Sequence, residues 1–177
     1  MKYIVLISLF IAGCSSNPAT VSQKPYADIK GFFEAEIIRL ENLKPEVNKT
    51  VSRNSSKETK TLNTINWKTE LSLFVESDIN KPAWKDSYKI TNRNNETVYT
   101  STDSNLKTQQ IRLVKDEKGR IKKVGIINQT SNMLYSSSEN LSYITGSVYQ
   151  ITKKQHVVII GDNEYKIQGV FKQKTGI

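Results

Sequence analysis

From Tyr26 to Leu43 the apolar residues Ile29, Phe32, Phe33, Ile37, Leu40 and Leu43 recur at steps of three and four. That spacing predicts an amphipathic helix, with Asp28, Lys30, Glu34, Arg39 and Glu41 mostly on its opposite face. Pro45 ends it, because the residue before a proline is pushed out of the helical region. Gly31 weakens its first turn by about 1 kcal/mol relative to alanine. Glu46–Arg53 then predicts a short strand, and the polar stretch Ser52–Asn63 a loop. Asn66 stands where an N-cap belongs, ahead of a second helix over Trp67–Glu76 that places Trp67, Leu71, Phe74 and Val75 on one face. Asp78-Ile79-Asn80-Lys81-Pro82 closes that helix.

From Ala83 onward the period changes to two. Trp84, Asp86, Tyr88 and Ile90 point one way; Lys85, Ser87 and Lys89 point the other. Polar turns punctuate the rest: 92–95, 102–105, 116–119, 129–132 and 161–163. Between them lie predicted strands over 97–101, 108–115, 120–128, 133–136, 147–152, 155–160 and 164–171. Asp116–Gly119 and Gly161–Asn163 are the clearest hairpin turns, since each carries a glycine free to adopt positive φ. The last strand alternates cleanly, with Tyr165, Ile167, Gly169 and Phe171 sharing a face. Short polar turns between such strands imply an antiparallel meander. The expected fold is therefore α+β, with two amphipathic helices packed on one face of a curved, mostly antiparallel sheet of about seven to nine strands.

The first fourteen residues follow a different rule. Met1-Lys2 supplies one positive charge, Tyr3–Ala12 is a nearly unbroken apolar run, and small residues follow. Ten residues cannot cross a hydrocarbon core as a mature helix, which takes roughly 20, so the segment has the form of a secretory leader. It ends Ile11-Ala12-Gly13-Cys14, and Cys14 is the only cysteine of the chain. This resembles the lipobox of bacterial lipoproteins, with Ile11 where leucine is commonest. The resemblance implies a diacylglyceryl thioether on Cys14, cleavage after Gly13 and acylation of the new amino terminus, palmitate being one such acyl group. Two or three acyl chains hold a protein to a bilayer far more firmly than one. Ser15-Ser16 follow the cysteine where an aspartate would signal inner-membrane retention in this class, so the resemblance implies the outer membrane. The periplasmic face is expected, because no acidic run follows Cys14.

The chain thus divides into a signal peptide (1–13), a lipidated cysteine and polar tether (14–25) and a single α+β domain (26–177). Its 177 residues suit one core. Loss of Lys2 with the leader leaves 25 of the 26 basic side chains against 17 acidic ones, a formal +8.

Little in the composition points to catalysis. One cysteine and one histidine exclude a multi-histidine or multi-cysteine metal site and a disulfide scaffold. His156 is the only available base for a serine or cysteine nucleophile, and it sits beside Lys153-Lys154 where a strand or turn position is expected. Asp116-Glu117 and Asp162 fall in predicted turns, which accounts for them without a paired-carboxylate mechanism. No glycine cluster suits a phosphate loop. No enzyme activity, metal or cofactor is expected.

Two surface features remain. Lys107, Arg112, Lys115, Lys118, Arg120, Lys122 and Lys123 crowd around one hairpin, a candidate surface for anionic headgroups or a solvated face that discourages edge pairing. Trp84, Tyr88, Tyr99, Tyr135, Tyr143, Tyr149 and Tyr165 lie on the β part; Trp84, Tyr88, Tyr149 and Tyr165 are the candidates to line an apolar groove. The expectation is a lipid-anchored envelope protein with a structural or interaction role, meeting the membrane through its anchor, with an envelope protein or lipid ligand as partner and no nucleic acid. The alternative is a lipid or lipoprotein carrier, similar in outline to the periplasmic carriers that deliver lipoproteins to the outer membrane.

Overall fold

The computed structural model describes residues 24–172. The leader, Cys14, the tether up to Gln23 and the last five residues lie outside the described residues.

Helix α1 (Ile29–Leu43) begins at Asp28, whose side chain accepts from the Gly31 N–H at 2.9 Å. It ends at Lys44, whose backbone is left-handed (φ 43°) and whose N–H bonds back to the Leu40 carbonyl. Ile29, Phe33, Glu36, Ile37 and Leu40 are buried; Phe32 is half-buried and Leu43 exposed, so the stripe is narrower than the spacing suggested. The second helix is two pieces, α2 (Trp67–Glu70) and α3 (Ser72–Glu76), broken at Leu71, whose φ and ψ (−101°, 8°) leave the helical region. Asn66 does cap α2, accepting from the Thr69 N–H at 3.0 Å. Leu71 itself is fully buried, and Trp67 and Phe74 on either side of the break are buried with it.

Nine strands form one sheet: β1 (Val47–Arg53), β2 (Ser56–Leu62), β3 (Tyr88–Arg93), β4 (Glu96–Ser101), β5 (Thr108–Lys115), β6 (Ile121–Ser131), β7 (Tyr135–Ile144), β8 (Val148–Val157) and β9 (Gly161–Phe171). Their order is β2-β1-β9-β8-β7-β6-β5-β4-β3, and every pairing is antiparallel. Strands β3 to β9 run as a plain meander. The β1–β2 hairpin then adds to β9, joining the beginning of the domain to its end. The helices lie on one face, here the inner face.

The inner face follows the two-residue period. Val124 and Ile126 on β6, Leu141 and Tyr143 on β7, and Tyr149 and Ile151 on β8 are all buried. Thr108 and Ile111 on β5 are both buried although three residues apart, because a register shift between Thr108 and Gln110 puts them on the same side. Phe33 of α1 meets Phe74 at 4.7 Å and Tyr143 at 5.3 Å between ring centroids. Trp67 of α2 stacks on Phe171 at 5.7 Å and meets Tyr149 edge-on at 6.0 Å. Tyr149 faces Gly169 across the β8–β9 pair, and its ring occupies the space a side chain at 169 would need.

Several expected elements are corrected. Ser52–Asn63 is not a loop: Ser56–Leu62 is an edge strand exposed along almost its whole length, so it carries no apolar alternation to betray it. Strand β3 starts at Tyr88, because Pro82–Trp84 forms a 3-10 turn. Strand β6 runs on to Ser131, and β7 covers Tyr135–Ile144 where only Met133–Ser136 was expected. The largest displacement is at 155–160. Strand β8 continues to Val157, the apolar residues Val158, Ile159 and Ile160 form the turn, and Gly161 (φ 84°) opens β9.

Candidate functional site

Three buried or nearly buried carboxylates line the junction between helices and sheet. Each is held by one cation and one neutral donor. Glu36 of α1 receives two bonds from the Arg39 guanidinium, at 2.8 and 2.9 Å, and a short one from the Tyr143 hydroxyl. Glu70 of α2 takes the Lys49 ammonium at 2.6 Å and the Tyr149 hydroxyl at 2.8 Å. Glu139 of β7 takes Lys153 at 3.1 Å and the Asn128 amide at 3.2 Å, and that amide also reaches the Ser77 hydroxyl at 2.9 Å. A buried charge is costly unless it is paired and hydrogen-bonded, and each of these is. Burial first, then the neighbouring carboxylate, pushes the Tyr143 and Tyr149 phenols far above their ordinary value. Burial pushes Tyr88 up to about 12. These phenols stay protonated and donate. The three clusters fasten α1, α2 and the Ser77 segment to the sheet, and Arg39 of the first also reaches the wall of a hollow at the end of α1.

The expected aromatic four do not come together. Tyr149 is fully buried in the core, and Tyr88 is buried under Tyr26 with its hydroxyl on the Thr108 carbonyl at 2.8 Å. Trp84 is half-buried beneath the Lys81 ammonium, 4.0 Å from its ring, and Tyr165 lies on β9 beneath the Arg53 guanidinium. An apolar hollow lies elsewhere, about 630 Å³ between the C-terminal end of α1 and the sheet, lined by Leu40, Leu43, Pro45, Gly146 and Phe171 with Arg39, Lys44 and Glu46 at its sides. Spacing could not reveal it, because its walls come from α1, the β7–β8 turn and the end of β9.

The basic set is mostly brought together. Lys115, Lys118, Arg120, Lys122 and Lys123 surround an open groove of about 540 Å³ at the β5–β6 turn, with Asp116 and Glu117 in the same wall. Arg120 is spent on Asp116, at 2.7 Å, and Arg112, further along β5, on Glu96 at 3.1 Å. Lys107 lies apart in the β4–β5 loop, 3.6 Å from Glu76. Among the described residues, Lys115, Lys118, Lys122 and Lys123 make no ion pair and leave this end of the sheet positive.

One constellation was missed by reasoning along the chain. Ser131, Ser136, His156 and Asp162 are successive partners across β6, β7, β8 and β9, and so form one row on the outer face. His156 Nδ1 lies 2.7 Å from Asp162 Oδ1, in the wall of an open, polar groove of about 590 Å³. Only the cross-strand register reveals this row. It has the order of a serine–histidine–acid relay but lacks its physics. No hydrogen bond joins Ser136 to the imidazole among the described residues, Asp162 is 86% exposed, and the strand N–H groups that could stabilise an oxyanion are engaged in the ladder.

Comparison of the chain with protein-family models, with curated proteins and with solved structures returns no match. Among the described residues, no helix is long and apolar enough to cross a membrane.

Proposed function

We propose that this chain is a lipid-anchored envelope protein, held in the outer membrane by acyl chains on Cys14 and facing the periplasm, with a structural or interaction role rather than a catalytic one. The observation that carries this reading is the leader itself. A charged start, a ten-residue apolar run and Ile11-Ala12-Gly13 stand directly before the only thiol of the chain. The character of the folded body supports a non-catalytic role, since its buried charged groups are consumed in fastening helices to sheet. Intact-mass analysis of the protein purified from bacterial envelopes tests the anchor. Loss of residues 1–13 and addition of a diacylglyceryl thioether with an amino-terminal acyl group are expected, whereas a bare Cys14 or an intact leader overturns it. Crosslinking in intact envelopes tests the role, and failure to recover any specific envelope partner or surface counts against it.

The apolar hollow at the end of α1 favours a second reading, a carrier of single acyl chains. Its volume and its Leu40, Leu43 and Phe171 walls suit a hydrocarbon tail, with Lys44 at its side for an anionic head, the Arg39 guanidinium being engaged by Glu36. Uptake of a fluorescent fatty acid that is abolished by Leu43→Arg supports it. Delipidated protein that takes up no probe removes it.

A further inference from the structure

Among the described residues, ten large apolar side chains are exposed, and five of them sit on two neighbouring hairpin tips: Met133 and Leu134 between β6 and β7, and Val158, Ile159 and Ile160 between β8 and β9. The tips touch, the Val158 N–H donating to the Leu134 carbonyl at 3.1 Å. Both are built to hold their shape. Asn132 Oδ1 accepts from the Leu134 N–H at 2.9 Å, Ile160 N–H bonds back to Val157, Gly161 takes the positive φ, and the His156–Asp162 bond spans the strands just behind. The side chains reach outward all the same, Met133 at 95% and Ile159 at 91% exposure. Isolated exposed leucines are ordinary, but a contiguous cluster of this size is not. Turns are also the place where local chemistry favours glycine, asparagine and aspartate, so three consecutive β-branched residues there run against their own preference.

We infer that these two tips form a membrane-contact surface that dips into the lipid bilayer. The placement of the chain's entry supports a bilayer as the occupant. Tyr26 packs on Tyr88, the first residue of β3, and Tyr88 bonds Thr108, the first residue of β5. Thr108 pairs with Asn128, three residues before β6 ends at the tip. The chain therefore enters the body at the tip-bearing end of the sheet. Eleven residues lie between Cys14 and Tyr26, twelve steps along the chain that span at most ~43 Å. An anchor at Cys14 keeps that end within reach of the headgroups; this orientation rests on the anchor proposed above. The chemistry of the cluster agrees. Its five side chains are Met133 and four aliphatic residues, with no tryptophan, tyrosine or arginine of the kind that anchors protein interfaces, and it suits a medium that deforms around it. Shallow insertion of roughly 5–10 Å is all that side chains on such tips require.

The test labels single thiols with an environment-sensitive fluorophore. In the acylated protein Cys14 is blocked, so Ile159→Cys carries the only free thiol, and Glu117→Cys, at the opposite end of β6, serves as the control. Each is reconstituted in phosphatidylethanolamine–phosphatidylglycerol vesicles with and without lipids brominated in their acyl chains. The expected result is a blue-shifted, at least threefold brighter emission at 159 that brominated lipid quenches, with neither change at 117. A label at 159 that stays in water while the protein remains vesicle-bound overturns the contact and leaves the anchor standing. A label shielded in native outer-membrane vesicles but not in pure lipid also overturns it, in favour of a protein partner. If intact mass shows Cys14 bare, the anchor reading fails separately; the Cys14→Ser companion then carries the label alone, and the same contrast between 159 and 117 decides the contact. The triple variant Leu134→Ser, Ile159→Ser, Ile160→Ser should at least triple the rate at which the protein moves between vesicles, and an unchanged rate argues against insertion.

Discussion

Gly169 is the position where the packing of this sheet can be tested most sharply. A Cβ at 169 would lie 2.1 Å from Tyr149 Cε1 and 2.2 Å from Cζ. The ring cannot swing aside. It is fully buried, wedged against Trp67 and Phe171 at 6.0 Å each, and tied to Glu70 by a 2.8 Å hydrogen bond. Overpacking a site of this kind costs about 1–3 kcal/mol. Displacing the phenol from a charged acceptor costs about 1.5–3 kcal/mol more. Reduced freedom of the unfolded chain returns about 0.4–1 kcal/mol. Gly169→Ala should therefore destabilise the domain by about 3 kcal/mol. The control is the same substitution in a Tyr149→Ala background, where the overlap is gone and the change should be close to neutral. The coupling energy of that cycle is then also about 3 kcal/mol. Urea unfolding followed by tryptophan fluorescence reads all four proteins, since Trp67 stacks on Phe171 in the same cluster. A loss below about 1 kcal/mol for Gly169→Ala, or an equal loss in both backgrounds, would refute the claim that the tyrosine ring occupies the glycine's space.

Three other outcomes are expected. The phenols of Tyr88, Tyr143 and Tyr149 are raised mainly by burial, so they keep their protons where the unfolded chain's tyrosines titrate. Their contribution to stability is whole below pH about 10 and is lost as pH climbs through the folded values, at about 1.4 kcal/mol per pH unit for each tyrosine. Urea midpoints between neutral and strongly alkaline pH check this, with the phenolate absorbance of these three tyrosines, in addition to that of the others, appearing only on unfolding; a flat midpoint contradicts it. Asp28→Ala removes the N-cap of α1 and should cost about 1 kcal/mol, while Asp28→Asn keeps most of it. Thermal unfolding separates the two, and equal losses would mean that the cap contributes nothing. The triple serine variant at the hairpin tips should unfold within about 0.5 kcal/mol of the parent, because those side chains touch little of the fold. A larger loss would mean that the tips are structural.

Some of this architecture was legible along the chain because a single element carried its own evidence. Helix α1 announced itself by the steps from Ile29 to Leu40 and by Pro45, and α2 by its Asn66 cap. The Asp116–Gly119 turn and the inner-facing alternation of Tyr165, Ile167, Gly169 and Phe171 follow from local chemistry, and so they appear where expected. The lipobox-like Ile11-Ala12-Gly13-Cys14 is a linear resemblance that lies outside the described residues, and the anchor drawn from it stands as a proposal.

What the chain could not declare was whatever depends on a neighbour. Ser56–Leu62 is polar on both faces and becomes a strand only because β1 offers its free edge. Leu71 breaks a helix that spacing would continue, although Trp67, Leu71 and Phe74 all still reach the core. Ser136, His156 and Asp162 form a row only once three strands take their register. Val158-Ile159-Ile160 shows the limit most plainly. Its composition asks for a buried strand, and the register of β8 against β9, closed by Gly161, puts it outside the core at the end of the sheet. Periodicity reports which side of an element is apolar, but burial is decided by what packs against that side, and here the described residues supply nothing.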